Sequence, residues 1–251
     1  MSDQGSSNKP LSAQRARRGA LRFARFAASF VVAVVVINSP ALARSFQEEV
    51  QHRKQIIPIL GTTFDRDRKP IGVVAQLQVS VASRKDRNGM EVTFESNPGR
   101  FSIRAQVAVV TAINRAARLA GLNTDSWSVS LTVPYEGVTI YGESLSAMVG
   151  LTVVALAKGD FIKPARVLTG TVTRDGHIGA VGGISLKLAA ARDQNLRRVL
   201  VPEEYDIADG DWETPFLLQV SPVGTVTTAY EALTDRPLEA AGPSDPPLAE
   251  D

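Results

Sequence analysis

Apolar residues recur at every second position in some segments of this chain and at every third or fourth position in others. Residues 71–82 place valine, alanine and leucine at alternate positions, which predicts a strand with one buried face. Residues 104–120 carry apolar residues at helical spacing, and we expect Ser102 to cap this helix and Gly121 to end it. Residues 127–133 alternate again and predict another strand.

A continuous apolar segment dominates the middle of the chain. Residues 147–157 are long enough for about three helical turns. Two short alternating segments follow, joined by the turn motif Asp175-Gly176, and together they predict a β-hairpin. The other predicted elements are a strand at 90–95 paired with 71–82 across a polar turn, the hairpin strands at 167–173 and 177–181, a helix from about 184, strands at 198–201 and 216–220, and a short helix at 230–233.

The order of these elements mixes hairpins and helices without a regular alternation of strand and helix, so the fold class that we predict is α+β. We place the folded domain at 71–235. Residues 44–70 are charged apart from a short apolar island, and we expect them to be a lead-in segment outside that domain. Residues 236–251 are rich in proline, alanine and acidic residues, which predicts a disordered tail.

Residues 1–43 have the organisation of a secretory signal peptide. Residues 1–25 are polar and basic, residues 26–37 are mostly apolar, and Ala-Leu-Ala at 41–43 provides small residues where a signal peptidase cleaves. The apolar run is shorter than the roughly 20 residues that a membrane-spanning helix needs. We therefore expect export to the periplasm or the cell exterior. The alternative is a protein that stays anchored to the membrane by residues 26–37.

The composition narrows the classes of function. The 251 residues are 44% apolar and 22% charged, which is ordinary for a globular protein. The net charge of +2 is uneven, because six basic residues and one acidic residue lie in 1–43 and the remainder carries a formal charge of −3. Nothing in that remainder predicts nucleic-acid binding. The chain has no cysteine, and two histidines, His52 and His177, are too few for a typical zinc site, so we predict no metal.

Two serines and one lysine stand where nucleophilic chemistry is favoured. Ser144 and Ser146 precede or begin the 147–157 helix, where free N–H groups favour the oxyanion that forms when a serine attacks a carbonyl. Lys187 lies between two leucines in the first turn of the next helix, where burial and the helix dipole both favour the neutral form of a general base. The plain alternatives are a small residue at a packed helix start for Ser146, a helix cap for Ser144 and a surface lysine for Lys187.

Three motifs resemble those of one enzyme family. Gly-Glu-Ser-Leu-Ser-Ala at 142–147 resembles the nucleophile segment of the Lon protease family, in which an acidic residue stands three positions before a Ser-Ala pair. Thr-Gly at 169–170 is similar to the family's Thr-Gly strand. Gly-Gly-Ile-Ser-Leu-Lys at 182–187 is similar to its Gly-Gly-hydrophobic-x-x-Lys motif. The resemblance covers residues 71–204 and is most specific from 142 to 187.

The resemblance implies a role for each residue of the predicted site. Ser146 is the nucleophile and Lys187 the base of a Ser-Lys dyad. Thr169 provides the hydroxyl that helps to hold the lysine, and Glu143 is the acidic neighbour. The backbone N–H groups of Ser146 and Ala147 are the expected oxyanion donors.

The same resemblance implies a serine endopeptidase with the mixed sheets and flanking helices of the Lon proteolytic domain. The nucleotide-binding motif G-x-x-x-x-G-K-[ST] does not occur in the sequence, so we expect activity that is independent of ATP and needs no cofactor or metal. The expected substrates are peptides or unfolded proteins. The expected assembly is a homo-oligomer.

Residues beside the predicted nucleophile leave other hypotheses open. Many family members have glycine where this chain has Met148 and proline where it has Leu145. If these residues misshape the oxyanion hole, the domain is catalytically weak or inactive and binds or scaffolds peptides at the cell envelope. A third hypothesis is an anchored subunit that receives its substrate from a separate ATPase.

Overall fold

The structure, a computed structural model, describes residues 52–204 and 215–239 of the chain. Within these ranges the chain forms eleven strands and four helices. In chain order they are β1 (Arg53–Phe64), β2 (Pro70–Ser83), β3 (Glu91–Glu95), β4 (Arg100–Phe101), α1 (Ile103–Leu119), β5 (Trp127–Thr132), β6 (Thr139–Ile140), α2 (Ser146–Lys158), β7 (Arg166–Leu168), β8 (Thr171–Val172), β9 (Ile178–Gly179), α3 (Ile184–Asp193), β10 (Arg198–Pro202), β11 (Gln219–Val223) and α4 (Val226–Thr234).

The largest sheet has the strand order β1-β2-β5-β3. β1 and β2 form a long antiparallel hairpin that pairs along the whole of β1. β5 runs antiparallel to β2, and β3 runs parallel to β5 at the edge of the sheet. Trp127, Val129 and Leu131 alternate with partly exposed residues along β5, so one face of this sheet belongs to the core.

Two helices build the main core. α1 and α2 pack against each other, and α2 also packs on β1 and β2. α2 is buried at every residue from Ser146 to Ala157, as expected from its uniformly apolar sequence. Gly150 allows the two helices to approach closely, because a Cβ at this position would lie 3.0 Å from the backbone of Ala112.

A second, smaller core lies around α3. The parallel sheet β11-β10-β7 and the β1–β2 hairpin both contact this helix. Ile184 and Leu188 of α3 pack there against Leu60 of β1 and Val199 of β10. Two further strand pairs complete the fold: β4 lies parallel to β6, and β8 lies antiparallel to β9. These open sheets with flanking helices confirm the α+β class.

Most predicted helices and strands exist in the structure. The helices predicted at 104–120, at 147–157 and from 184 are α1, α2 and α3. The Asp175-Gly176 turn joins β8 to β9, which form the predicted hairpin. The strand predicted at 167–173 is divided, because β7 joins the parallel sheet whereas β8 pairs with β9.

The predicted partner of the 90–95 strand was wrong. We expected this segment to pair with 71–82 across a polar turn, but β3 pairs in parallel with β5. The connecting segment does not close a hairpin, because it bonds instead to the residues that precede β5. The Arg84 N–H donates to the carbonyl of Ser126 at 2.6 Å.

Two predicted boundaries also need correction. The lead-in predicted at 44–70 contains β1, whose residues Ile57 and Leu60 are buried, so the folded region begins well before 71. Arg53 and Lys54 precede this apolar island and Thr62 and Thr63 follow it, so its polar flanks belong to the same strand. The tail predicted to be disordered from 236 is packed at its start, since Leu238 is 5% exposed and belongs to the main core.

Some predictions concern residues that the structure does not describe. The predicted signal peptide or anchor at 1–43, with its apolar run at 26–37, lies outside the described residues, as do residues 240–251 of the predicted tail. Among the helices in the described ranges, none has both the length and the apolar character needed to cross a membrane.

Candidate functional site

Ser146 is the first residue of α2, as predicted. Its side chain is 1% exposed, and its Oγ has no hydrogen-bond partner within the described part of the chain. Burying a hydroxyl without a partner costs free energy, and such groups in folded proteins call for a functional or structural explanation. A nucleophile that awaits its base and its substrate is one such explanation.

The turn before α2 differs from the prediction at one residue. Ser144 was predicted to cap the helix, but the N-cap position belongs to Leu145, and no side chain caps the helix there. The carbonyl of Ser144 instead accepts the N–H of Gly170 at 2.8 Å, and the Thr169 Oγ1 lies 3.4 Å from the same carbonyl. This contact joins the turn to the chain between β7 and β8, which contains Thr169.

Lys187 lies in the first turn of α3, as predicted. Gly183 is the N-cap of that helix with φ 72°, a left-handed conformation that favours glycine, and its carbonyl accepts the Lys187 N–H at 3.0 Å. Thr62 of β1 leaves no room for a side chain at Gly183, since its Cγ2 would lie 2.8 Å from an added Cβ. The end of the β1–β2 hairpin therefore packs closely against the start of α3.

The structure brings Lys187 and Thr169 together. The Lys187 Nζ donates to the Thr169 Oγ1 at 3.1 Å, and the two residues are 3% and 1% exposed. A lysine is seldom buried to this extent unless it has specific partners. The predicted supporting contact between the threonine and the lysine is thus present in the fold.

A cavity of about 1260 Å³ lies beside these residues. Its walls come from the end of the β1–β2 hairpin, the segment at 137–145 and the residues just before α3. Lys187, Glu143 and Leu145 line it, whereas Ser146 and Thr169 are not among its lining residues. The lysine therefore faces a space large enough for several peptide residues, whereas the serine side chain is buried.

Glu143 contacts a residue that the sequence analysis did not single out. Its carboxylate accepts two hydrogen bonds from Arg104 of α1, with 2.7 Å from Nη2 to Oε1 and 3.3 Å from Nε to Oε2. These hydrogen bonds, with the charge of the guanidinium, lower the pKa of Glu143. The carboxylate is therefore charged at neutral pH and is directed toward α1.

The predicted oxyanion donors are both engaged in this structure. The Ser146 N–H donates to the Glu143 carbonyl at 2.9 Å, and the Ala147 N–H donates to the Gly170 carbonyl at 3.1 Å. The expectation of free donors at the start of α2 was therefore wrong for this conformation. The reason is that the 143–146 turn and the β7–β8 corner satisfy these N–H groups in place of an anion.

Arg104 was not predicted as a site residue, although one feature of the sequence indicates it. Arg104 lies in the first turn of α1, where the helix dipole disfavours a positive charge, and that turn contains no acidic residue. A basic residue in this place suggests a partner elsewhere in the fold. The partner, Glu143, is 39 positions away, too far for any local pattern to identify it.

Comparison with known proteins identifies relatives of this chain. Residues 76–226 match the Lon protease (S16) C-terminal proteolytic domain. The archaeal Lon protease of Thermoplasma acidophilum is 26% identical over 69% of this chain and 29% of its own length. The peroxisomal Lon protease homolog 2 of Eremothecium gossypii is 34% identical over 71% of this chain and 19% of its own length.

A second archaeal Lon protease, from Thermoplasma volcanium, is 24% identical over 83% of this chain and 35% of its own length. The chain therefore spans about a third or less of each of these relatives. The part that it matches in the family is the proteolytic domain, and that match includes all the predicted site residues.

Proposed function

Because the chain belongs to the Lon protease (S16) C-terminal proteolytic domain family, which supports a serine protease-like function, we propose that it is an endopeptidase with a Ser-Lys dyad. Ser146 is the proposed nucleophile and Lys187 the proposed base. The proposed substrates are peptides or unfolded proteins, and their cleavage requires no ATP, cofactor or metal.

The proposed reaction proceeds through an acyl-enzyme. Lys187 accepts the proton of the Ser146 hydroxyl as the Oγ attacks the peptide carbonyl. The same lysine then donates this proton to the leaving amine, and a water molecule hydrolyses the resulting ester by the reverse sequence of proton transfers. A base must be uncharged to accept a proton, and burial of Lys187 favours its uncharged form.

The observation that supports the proposal most strongly is the buried hydrogen bond from Lys187 Nζ to Thr169 Oγ1. It orients the amine at the edge of the cavity. The Thr169 Oγ1 also lies 3.4 Å from the Ser144 carbonyl, an acceptor to which the threonine hydroxyl can donate. The threonine oxygen is thereby left as an acceptor toward Lys187.

Catalysis by these residues requires a rearrangement of the 143–146 turn. The Ser146 hydroxyl is buried and the N–H groups of Ser146 and Ala147 are engaged, so a substrate carbonyl needs this turn to shift before it can reach them. Preorganised donors that face the developing oxyanion are a large part of the rate enhancement in acyl transfer. We propose that substrate binding in the cavity accompanies this shift.

The engaged N–H groups also favour a second candidate function, a peptide-binding or scaffolding module with weak or no catalysis. Leu145 lines the cavity beside the nucleophile and supports this alternative. Met148 does not support it, because its side chain is fully buried and is not one of the described residues that line the cavity.

Cleavage of casein by the purified full chain without ATP distinguishes the two functions. For the endopeptidase, Ser146→Ala and Lys187→Met each reduce cleavage by at least about 10³-fold. Ser185→Ala, an exposed serine in the first turn of α3, is the matched control and retains the parent rate. If the parent and all three variants are folded and bind casein but none of them cleaves it, the binding module is favoured instead.

The location and assembly of the protein complete the proposal. We propose that residues 1–43 direct export and that the protein works outside the cytoplasm, either released or anchored by residues 26–37. We also propose that it forms a homo-oligomer. Fractionation of cells together with N-terminal sequencing of the mature protein tests the first proposal, and light scattering of the purified protein tests the second.

A further inference from the structure

The N-terminus of α1 holds the segment that leads to the nucleophile at three points. The Ser102 N–H donates to the Ile140 carbonyl and the Ser102 Oγ donates to the Tyr141 carbonyl, each at 2.8 Å. The third contact is the pair between Arg104 and Glu143. This last contact is the nearest of the three to α2 in the sequence.

The position of Glu143 determines where two backbone carbonyl groups lie, and both accept hydrogen bonds from residues of the site. The carbonyl of Glu143 accepts the Ser146 N–H, and the carbonyl of the next residue, Ser144, accepts the Gly170 N–H. A chain of contacts therefore runs from the guanidinium of Arg104 through Glu143 to the amide of the proposed nucleophile.

The Arg104–Glu143 pair is poorly suited to stabilising the fold as a whole. The two side chains are 72% and 40% exposed, and ion pairs in such positions contribute little to stability. The positive charge of Arg104 also opposes the dipole of α1. A contact of this kind is weak enough to open during a catalytic cycle and close enough to the site to influence it.

We propose that Arg104 is a positioning residue that holds the 143–146 turn, through Glu143, in the arrangement that engages the Ser146 amide. The inference rests on the proposed peptidase function. Arg104 acts as a latch: with the pair closed the Ser146 N–H is bound to the Glu143 carbonyl, and with the pair open it is available to the oxyanion. Loss of the pair therefore accelerates acylation.

The test measures kcat and KM for a fluorogenic peptide with the full chain and four variants. Arg104→Gln and Glu143→Gln each remove the ion pair, and we expect each to raise kcat about two- to fivefold. KM is measured separately, because both side chains line the cavity. The double variant R104E/E143R restores the pair with reversed charges and returns kcat to the parent value. Arg118→Gln, an exposed arginine in the last turn of α1, is the matched control and leaves kcat unchanged.

The outcomes separate the latch from the peptidase function. A kcat that rises in both single variants and returns in the double variant supports the latch. An active parent whose Arg104→Gln variant matches the Arg118→Gln control, or is slower, overturns the latch and leaves the peptidase intact. A parent that neither cleaves the peptide nor reacts at Ser146 with a serine-directed phosphonate overturns both.

Discussion

At the scale of single residues, the site is organised by hydrogen bonds that the sequence suggested in part. The resemblance to the Lon protease family implied that Thr169 holds Lys187, and their side chains are hydrogen-bonded. The sequence did not predict the environment of the Ser146 amide, because the partner of an N–H group depends on how a turn closes. The contact between Arg104 and Glu143 was also unpredictable, since the two residues meet only after α1 and the 137–145 segment have packed.

Thr169 provides the sharpest test at this scale. Thr169→Val keeps the branched shape of the side chain but removes the oxygen that accepts the hydrogen bond from Lys187, so the amine loses its orientation. Removal of a hydrogen bond between polar or charged groups of this kind is expected to lower kcat about tenfold to hundredfold. Thr169→Ser keeps the oxygen and is expected to retain most of the activity.

Steady-state kinetics of the two Thr169 variants test whether the threonine orients Lys187, and circular dichroism verifies that both variants are folded. A folded Thr169→Val protein with the parent's kcat would show that the threonine is only a packed residue between β7 and β8.

At the scale of elements, the β1–β2 hairpin positions α3 and with it the lysine. Gly72 of β2 lies so close to this helix that an added Cβ would overlap the carbonyl oxygen of Leu186 and lie 3.0 Å from the Cβ of Ala190. The helices were predictable, because helical spacing is a local pattern. The role of β1 was not, because its apolar residues form one run that contains a proline and does not alternate with polar residues.

Gly72→Ala is therefore expected to displace the first turn of α3. Overpacking of this kind destabilises a protein by about 1–3 kcal/mol, and the neighbouring Lys187 should move enough to lower kcat. Gly61→Ala on β1 is the control for stability, because its Cβ would make an ordinary contact of 3.5 Å with Val73.

Urea denaturation of the two glycine variants, alongside peptide cleavage by Gly72→Ala, tests this packing. If Gly72→Ala unfolds at the same urea concentration as Gly61→Ala and cleaves as fast as the parent, α3 is not positioned in the way that we describe.

At the scale of the whole molecule, two hydrophobic cores meet at the proposed site. Ser146 belongs to α2 in the main core, whereas Lys187 belongs to α3 beside the smaller core. The α+β class followed from the order of the elements, but the parallel pairing of β3 with β5 did not, because parallel strands are joined by long connections that leave no turn motif. The two residues of the proposed dyad thus come from helices that pack in different hydrophobic cores, and their approach is set by the tertiary fold.

The most direct test of the proposed dyad is the chemical identity of the reactive serine. The full chain is treated with a serine-directed fluorophosphonate, and the site of the adduct is determined by peptide mass spectrometry. We predict a single adduct on Ser146 that is absent in Ser146→Ala and strongly slowed in Lys187→Met. An adduct on any other serine, or a protein that cleaves peptides while Ser146 stays unmodified, would contradict the dyad.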